Sequence, residues 1–265
     1  MEPTPQPRLT AAQQEALARM SLLQHLEELR KRIFWSLLAL VIALIPCGYY
    51  YRQIFRFLVA PLERIQPGLK LSFLALTDPF ILYFKMALLT AIFLAAPVLL
   101  YHLWAFISPG LYSSEKKMAI PFIFFTTLFF VAGGAFGYYV AFPMAAQFLL
   151  GLGTDMQAVI TADKYFGFLL TVIFGLGLMF EMPVLILLLS LLGLVTPRFL
   201  LLHTRHAVVI IFIIAAIITP TPDIVNLCVF AVPALGLYGL GVAAAFIADR
   251  FRRKREAAVA AEGEE

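Results

Sequence analysis

Six apolar runs fill most of the chain, and the cationic residues between them fall almost entirely on alternate connections. A hydrocarbon core of about 30 Å needs roughly 20 helical residues, and four of the runs reach about that length. Alternating clusters of Lys and Arg are the signal that orients membrane helices. The pattern predicts an all-α integral membrane protein with six transmembrane helices, at residues 33–51, 79–106, 119–142, 166–194, 207–218 and 224–248.

The composition excludes a soluble globular domain. Apolar residues make up 62% of the chain, charged residues make up 14%, and the mean hydropathy is +0.91, whereas soluble domains average about 45–50% apolar and about 25% charged residues. Cys47 and Cys228 lie inside apolar runs without the spacing of a disulfide framework or a metal site, so we expect them to be packing residues. Residues 1–20 contain no short apolar segment with a cleavage site, and the first crossing is therefore expected to act as the insertion signal.

The distribution of Lys and Arg predicts the orientation. One side of the membrane receives 14 of the 20 cationic residues, including those that flank both termini, whereas Lys85 lies within the second run. Because cytoplasmic loops carry the excess of Lys and Arg, both termini are predicted to be cytoplasmic, with outer loops at 52–78 and 143–165. The net charge of +4 is explained by this topology, and no nucleic-acid partner is expected.

The domain organisation is predicted to be simple. Residues 21–250 form one membrane domain, between disordered tails at 1–20 and 251–265. The fifth and sixth helices are expected to be short, because the fifth run is brief and Pro233 interrupts the sixth.

An amphipathic segment, His25–Arg32, runs directly into the first crossing. Its spacing predicts helical i,i+4 ion pairs between Glu27 and Lys31 and between Glu28 and Arg32. Taken alone, such pairs are ordinary features of a helix surface, and the cations would serve only to set the topology. At the end of the second crossing, Glu115 would by itself be a solvated loop carboxylate.

Glu181 is harder to explain as an ordinary surface charge. No other ionisable residue lies between Phe166 and Leu194, and a charge at the centre of a bilayer costs roughly 2.5–3.5 kcal/mol on insertion scales. The residue is therefore either functional or a neutral, hydrogen-bonded packing group. Two other polar residues have simple interpretations, Asp78 as a helix N-cap and Lys85 as a snorkelling cation.

Catalytic motifs are absent from the sequence. We find no GxxxxGK[ST] phosphate loop, no HExxH and no GxSxG. His203 and His206 form a pair with no Asp or Glu near them in the sequence. The sequence therefore predicts neither an enzyme nor a cofactor or metal site.

Four separated strings occur in one order along the chain and resemble the TatC family, the multispanning receptor subunit of the twin-arginine protein translocase. They are His25–Arg32 (HLEELRKR), Ala96–Tyr112 followed by Glu115, Phe180–Pro183 (FEMP) and Thr219–Asp223 (TPTPD). The resemblance runs from about residue 25 to residue 250. It implies a concave, glove-like bundle in the bacterial cytoplasmic membrane.

The resemblance also implies site residues. Glu28 and Glu115 correspond to the acids that recognise the paired arginines of an export signal peptide, and Arg30 and Phe106 belong to the same motifs. Carboxylates offer guanidinium groups planar, bidentate acceptors, so such a site would discriminate Arg from Lys. Glu27 adds a second acid beside Glu28, which leaves open which carboxylate meets which arginine. The remaining motif residues, to which a structural role is assigned, are Asp78, Pro97, Pro183 and Asp223.

The partners implied by the resemblance are single-span TatA and TatB proteins and other TatC copies, and they export folded proteins with the proton-motive force. We expect the apolar stretch of the signal peptide to lie in a membrane groove near Glu181. That residue and the fifth and sixth helices are candidates for docking a partner helix.

Three alternatives remain open at this stage. One is a proton-coupled secondary transporter with Glu181 as the carrier, although no clear inverted repeat is found. Another is a non-catalytic scaffold that only gathers partners. The third, an intramembrane hydrolase, lacks a nucleophile and base. Photocrosslinking of a twin-arginine signal peptide at Glu28 and Glu115 separates the receptor from all three.

Overall fold

The computed structural model describes residues 11–107, 116–153, 159–219, 221 and 223–262, with side chains from residue 25 to residue 250 apart from 108–120 and the other gaps in that range. Its helices are α1 (Ala11–Tyr49), α2 (Tyr51–Ile65), α3 (Asp78–Ile107), α4 (Lys116–Phe136), a π-helix (Gly137–Ala141), α5 (Phe142–Gly151), α6 (Ala162–Phe180), α7 (Met182–Leu191), α8 (Pro197–Leu202), α9 (Thr204–Ile218) and α10 (Ile224–Glu262).

In the described part of the chain, five helical segments are long and apolar enough to cross a bilayer: His25–Tyr49, Asp78–Ile107, Pro121–Gly151, Ala162–Leu191 and Ile224–Arg250. The fifth predicted crossing corresponds to α9, which has 15 residues and spans about 22 Å at roughly 1.5 Å per residue. The all-helical membrane fold is confirmed, with five such segments and one shorter apolar helix.

The sequence prediction differs from the structure at the last helix and at both tails. The sixth predicted helix is not short, because α10 has 39 residues and continues through Pro233; neighbouring helices and local adjustments allow membrane helices to tolerate proline. Helix also covers residues 11–20 and 251–262, where disordered tails were predicted. Both segments are rich in Ala, Glu, Gln and Arg, which are strong helix formers.

The two predicted outer loops contain helix as well. The first holds α2, and the second begins only after α5 ends at Gly151. An isolated parallel bridge joins these connections, with Ser72 N–H donating to Ile160 O at 3.0 Å and Ala162 N–H donating to Ser72 O at 2.7 Å. The bridge ties the segment before α3 to the start of α6.

The helix pair α6 and α7 forms the centre of the bundle. In an 18-residue apolar stretch within Ala162–Leu191, 61% is buried inside the protein, compared with 11% for such a stretch within His25–Tyr49. Phe166 and Leu169 of α6 are fully buried against Met86, Phe142 and Phe230 from three other helices. The first helix is therefore peripheral and exposes most of its apolar surface.

Gly133 allows α4 to approach α6 closely. A Cβ atom at this position would lie 2.5 Å from Leu176 O and 2.8 Å from Phe180 Cβ, whereas a Cβ at Gly167 would meet nothing within 4 Å. We expect Gly133→Ala to lower the free energy of unfolding by about 1–3 kcal/mol through overpacking. Thermal unfolding in detergent tests this, with Gly167→Ala as the matched control. Equal unfolding temperatures for the two variants would contradict the close approach.

Asp223 caps the first turn of α10. Its Oδ1 accepts the Asn226 backbone N–H at 2.7 Å, and its Oδ2 accepts Asn226 Nδ2 at 2.8 Å, while the same Nδ2 donates to Thr221 Oγ1 at 3.0 Å. Partial burial disfavours the charged carboxylate, but the hydrogen bonds from Thr221 and Asn226 outweigh it and hold the pKa of Asp223 below its usual range. Thr221 and Asp223 of the TPTPD motif thus fix the start of α10 through Asn226.

We expect Asp223→Ala to destabilise the protein by about 0.5–2 kcal/mol, since it removes an N-cap. Because the folded pKa is depressed, the contribution is complete above the unfolded value of about 3.9 and is lost as the pH falls through the folded value. The difference in unfolding temperature between wild type and variant should therefore be constant near pH 7 and shrink at about pH 4 and below. A difference that grows on acidification would rule out this role.

Candidate functional site

Glu181 stands at a break between two helices. It ends α6 and precedes α7, and Pro183 lies in the first turn of α7. Proline lacks the N–H that would continue the helix and clashes with the preceding turn. Since α7 has 10 residues, or about 15 Å, the break lies about half-way through a hydrocarbon core of roughly 30 Å.

A buried hydrogen-bond chain holds one oxygen of Glu181. Trp104 Nε1 donates to Thr126 Oγ1 at 2.8 Å, and the Thr126 hydroxyl donates to Glu181 Oε2 at 2.5 Å. All three side chains are buried, and together they join α3, α4 and the break between α6 and α7. Sequence analysis did not identify Thr126. Thr126 and Thr127 are a polar pair inside an apolar run, and that pattern could have indicated a buried hydrogen bond.

Glu181 Oε1 is buried without a hydrogen-bond partner among the described residues. Glu181 lies in the wall of an apolar groove of about 990 Å³ formed by α3, α6, α7, α8, α9 and α10. The other hydroxyl, indole and ammonium groups of the lining residues are all paired: those of Lys85, Trp104, Thr171 and Tyr238. Among the described residues, the groove wall thus holds one unsatisfied acceptor, a buried oxygen in otherwise apolar surroundings.

A second cluster lies where α1 packs against the end of α3. Arg32 donates to Glu28 Oε1 through Nε at 3.0 Å and through a terminal nitrogen at 2.5 Å. The Glu28 side chain is 35% exposed and that of Arg32 is 20% exposed. The predicted Glu28–Arg32 pair is confirmed, whereas Glu27 and Lys31 form no ion pair in the described structure and both are exposed.

Phe106 joins this cluster through a ring contact. It stacks on His25 with ring centroids 4.4 Å apart and an interplanar angle of 17°. His25 lies three residues before Glu28, on the same face of α1, so the stack brings Phe106 into the neighbourhood of the carboxylate. His102, one turn before Phe106, lies within electrostatic range of Arg32. Sequence analysis did not assign a role to either histidine.

The other predicted site residues are placed as follows. Arg30 is exposed and makes no hydrogen bond with a described residue. Glu115 lies outside the described residues, and α4 begins at the next residue, Lys116. The structure therefore brings Glu28 and Phe106 together and does not test where Glu115 lies relative to them.

The structural motif residues show three kinds of role. Asp78 does not cap α3 as predicted, because its Oδ2 accepts the preceding N–H groups of Leu74 and Ala75, both at 2.9 Å. The carboxylate thereby closes the turn before the helix. Pro97 lies inside α3 without ending it, whereas Pro183 follows the break at Glu181.

Lys85, which was predicted to be a snorkelling cation, also forms an ion pair. Its ammonium lies 3.0 Å from Asp163 Oδ1.

In the described part of the chain, no group of three or more His, Cys, Asp or Glu could hold a metal ion. Cys47 is buried in a cluster with small residues of α3, and Cys228 is half-buried; both are free thiols. The groove and the Glu28 cluster therefore offer binding surfaces, and the chemistry available to them is hydrogen bonding, ion pairing and apolar contact.

Comparison with known proteins gives concordant results. The family model of TatC, the Sec-independent protein translocase protein, matches residues 24–233. TatC of Koribacter versatilis (strain Ellin345) is 42% identical over 98% of this chain and 99% of its own length. TatCy of Bacillus subtilis (strain 168) is 39% identical over 90% of this chain and 94% of its own length.

Solved structures agree with the sequence relatives. A crystal structure of the twin arginine translocase receptor TatC superposes with a TM-score of 0.75 at 35% identity, covering 84% of this chain and 99% of that one. These matches confirm the resemblance found in the four motifs, and they place the chain among translocase subunits and not among enzymes. The chain is a member of the TatC family of Sec-independent protein translocase proteins.

Proposed function

We propose that this chain is the signal-peptide receptor of a twin-arginine translocase in the bacterial cytoplasmic membrane. Its cytoplasmic face binds the paired arginines of an export signal peptide, and its groove takes the apolar stretch that follows them. Membership of the TatC family and the fold shared with a twin arginine translocase receptor support this proposal.

The observation that carries the proposal is the state of Glu28. Its Oε1 already accepts two hydrogen bonds from the guanidinium of Arg32, while Oε2 has no hydrogen bond from the described residues. The carboxylate is thus half-buried, oriented and able to take a second guanidinium at its open oxygen. Charge-assisted hydrogen bonds of this kind favour the planar fork of Arg over the point charge of Lys.

Carboxylates alone do not supply enough affinity. Hydrogen bonds to charged groups contribute roughly 1.5–3 kcal/mol each. Micromolar binding corresponds to a net free energy of about 8 kcal/mol, and the interactions must also offset the cost of ordering the peptide. An apolar contribution is required, and the groove of about 990 Å³ is the surface that offers it.

The two surfaces lie close to each other along α3. Leu103 and Trp104 line the groove, and Phe106, less than one turn further on, stacks on His25 beside the Glu28 cluster. A peptide whose arginines lie at Glu28 therefore has a direct path for its next residues into the groove. Glu115 supplies the second carboxylate in this proposal.

The groove also supports the proposal for partners. Glu181 Oε1 is buried and unpaired in the groove wall. A small rotation of this side chain on docking would let it accept a hydrogen bond from a polar group on a TatA or TatB helix, and such polar contacts stabilise helix pairs in membranes. Other TatC copies complete the assembly, and the proton-motive force drives the passage of folded cargo.

Photocrosslinking tests the path of the peptide. A photoreactive residue replaces Leu103 in the groove wall, and a twin-arginine signal peptide is irradiated with the full-length protein. The matched control replaces Ile45, an apolar residue of α1 that is 70% exposed and lies outside the groove. We expect adducts with the apolar stretch at Leu103 and not at Ile45; equal adducts at both positions, or none at Leu103, would contradict the proposal.

A further inference from the structure

The short helix α2 has the character of a helix that lies in a membrane interface. It follows the end of α1 and buries one face through Leu58, Val59 and Leu62. Its other face carries three arginines and one acid, Glu63. Basic amphipathic helices of this kind lie at the boundary between headgroups and acyl chains and attract anionic lipids.

Two cavities adjoin beside this helix. An apolar groove of about 400 Å³ lies between α2, α3, α4 and α6, and its walls include Phe57, Leu89 and Phe93. A smaller pocket of about 220 Å³ lies between α2, the π-helix and α5. Tyr138 and Tyr139 line both cavities, so the two cavities adjoin at these side chains.

The smaller pocket gathers three polar groups without partners. Arg64, Tyr139 and Gln147 line it, and none of their side chains hydrogen-bonds or ion-pairs with a described residue. The neighbouring Tyr138 differs, since its hydroxyl donates to Phe57 O. A guanidinium, a hydroxyl and an amide around one pocket offer donors to an anion, and Arg in particular suits the geometry of phosphate.

The depth of the cavities suits a lipid. Helix α4 has 21 residues, about 31 Å, which matches a hydrocarbon core of about 30 Å. Counted from Lys116, this length ends at Phe136, so Tyr138 and Tyr139 come close to the boundary opposite Lys116, where aromatic residues concentrate. The apolar helical segment itself continues to Gly151. The polar pocket is then at headgroup level, and the apolar groove runs from it toward Leu89 and Phe93 in the membrane interior.

We propose that the two cavities together bind one anionic phospholipid. Its phosphate lies against the Arg64 guanidinium, within reach of the Tyr139 hydroxyl and the Gln147 amide, and one acyl chain fills the apolar groove. The adjoining apolar groove favours a phospholipid over free phosphate, and the unpaired cation favours an anionic headgroup over a zwitterionic one. A lipid held here braces α2 against the π-helix and α3.

Native mass spectrometry of the full-length protein in detergent tests this site. Dioleoylphosphatidylglycerol, dioleoylphosphatidylcholine and inorganic phosphate are added in separate arms. We expect one phosphatidylglycerol to be retained at least tenfold more tightly than phosphatidylcholine, and phosphate not to be retained. Arg64→Gln should weaken phosphatidylglycerol binding about tenfold or more, since it removes a charge-assisted contact.

The matched control is Arg56→Gln, which removes the same charge from the same helix but lies outside both cavities. It should leave binding unchanged. Tyr139→Phe, at a position that is 57% exposed, should weaken binding without disturbing the fold, and Ala135→Phe should block the apolar groove. Equal loss in Arg56→Gln and Arg64→Gln, equal retention of the two lipids, or undiminished binding in both Tyr139→Phe and Ala135→Phe would overturn the proposal.

Discussion

Replacing Glu28 by lysine should abolish binding of a twin-arginine signal peptide. The substitution removes the open Oε2 acceptor, and it places a cation beside Arg32 in place of the carboxylate with which Arg32 pairs. Loss of two charge-assisted hydrogen bonds corresponds to about 3–6 kcal/mol, or about a hundredfold or more in affinity. Titration of a fluorescent signal peptide against the detergent-solubilised protein measures it.

Glu27→Lys is the matched control for this prediction. It makes the same change of charge on the neighbouring residue, which is exposed and has no ion pair with Lys31 in the described structure. It should reduce peptide affinity only through long-range repulsion between the new lysine and the cationic peptide, and added salt should screen this repulsion. If the two variants bind the peptide equally well, Glu28 does not recognise arginine.

Replacing Glu181 by alanine should weaken the retention of single-span partners about five- to thirtyfold, since polar contacts between membrane helices contribute roughly 1–2 kcal/mol. The variant removes the unpaired Oε1 from the groove and also leaves the Thr126 hydroxyl without its acceptor. Co-purification of tagged partners and export of a reporter protein from cells measure the two consequences.

Thr171→Ala is the control for Glu181→Ala. Thr171 lines the same groove, but its hydroxyl donates to the Gly167 carbonyl of its own helix at 2.7 Å, so its loss should leave partner retention unchanged. Glu181→Gln should fall between wild type and Glu181→Ala, because an amide still offers an acceptor oxygen. Normal retention and export by Glu181→Ala would remove the docking role.

The membrane helices and the family could be predicted from sequence because the responsible signals are local. Apolar runs report transmembrane helices directly, since a bilayer requires a fixed length of apolar helix. The Glu28–Arg32 pair follows from i,i+4 spacing. The family follows from four short strings of consecutive residues. None of these signals depends on how the helices pack.

The parts that could not be predicted depend on contacts between distant segments. Thr126 meets Glu181 across 55 positions of the chain, and no periodicity in either helix reports that contact. Asp78 has the sequence of an N-cap, yet its carboxylate accepts the N–H groups before it. Pro233 was expected to interrupt its helix, but packing within the bundle keeps α10 continuous.

Recognition of arginine by the half-buried Glu28 carboxylate is the claim on which the receptor role depends. The most direct measurement compares the affinity of the full-length protein for two signal peptides that differ only in having paired arginines or paired lysines. We predict that the lysine peptide binds at least tenfold more weakly, because an ammonium cannot form the planar, two-pronged contact with a carboxylate. Equal affinity for the two peptides would contradict the account.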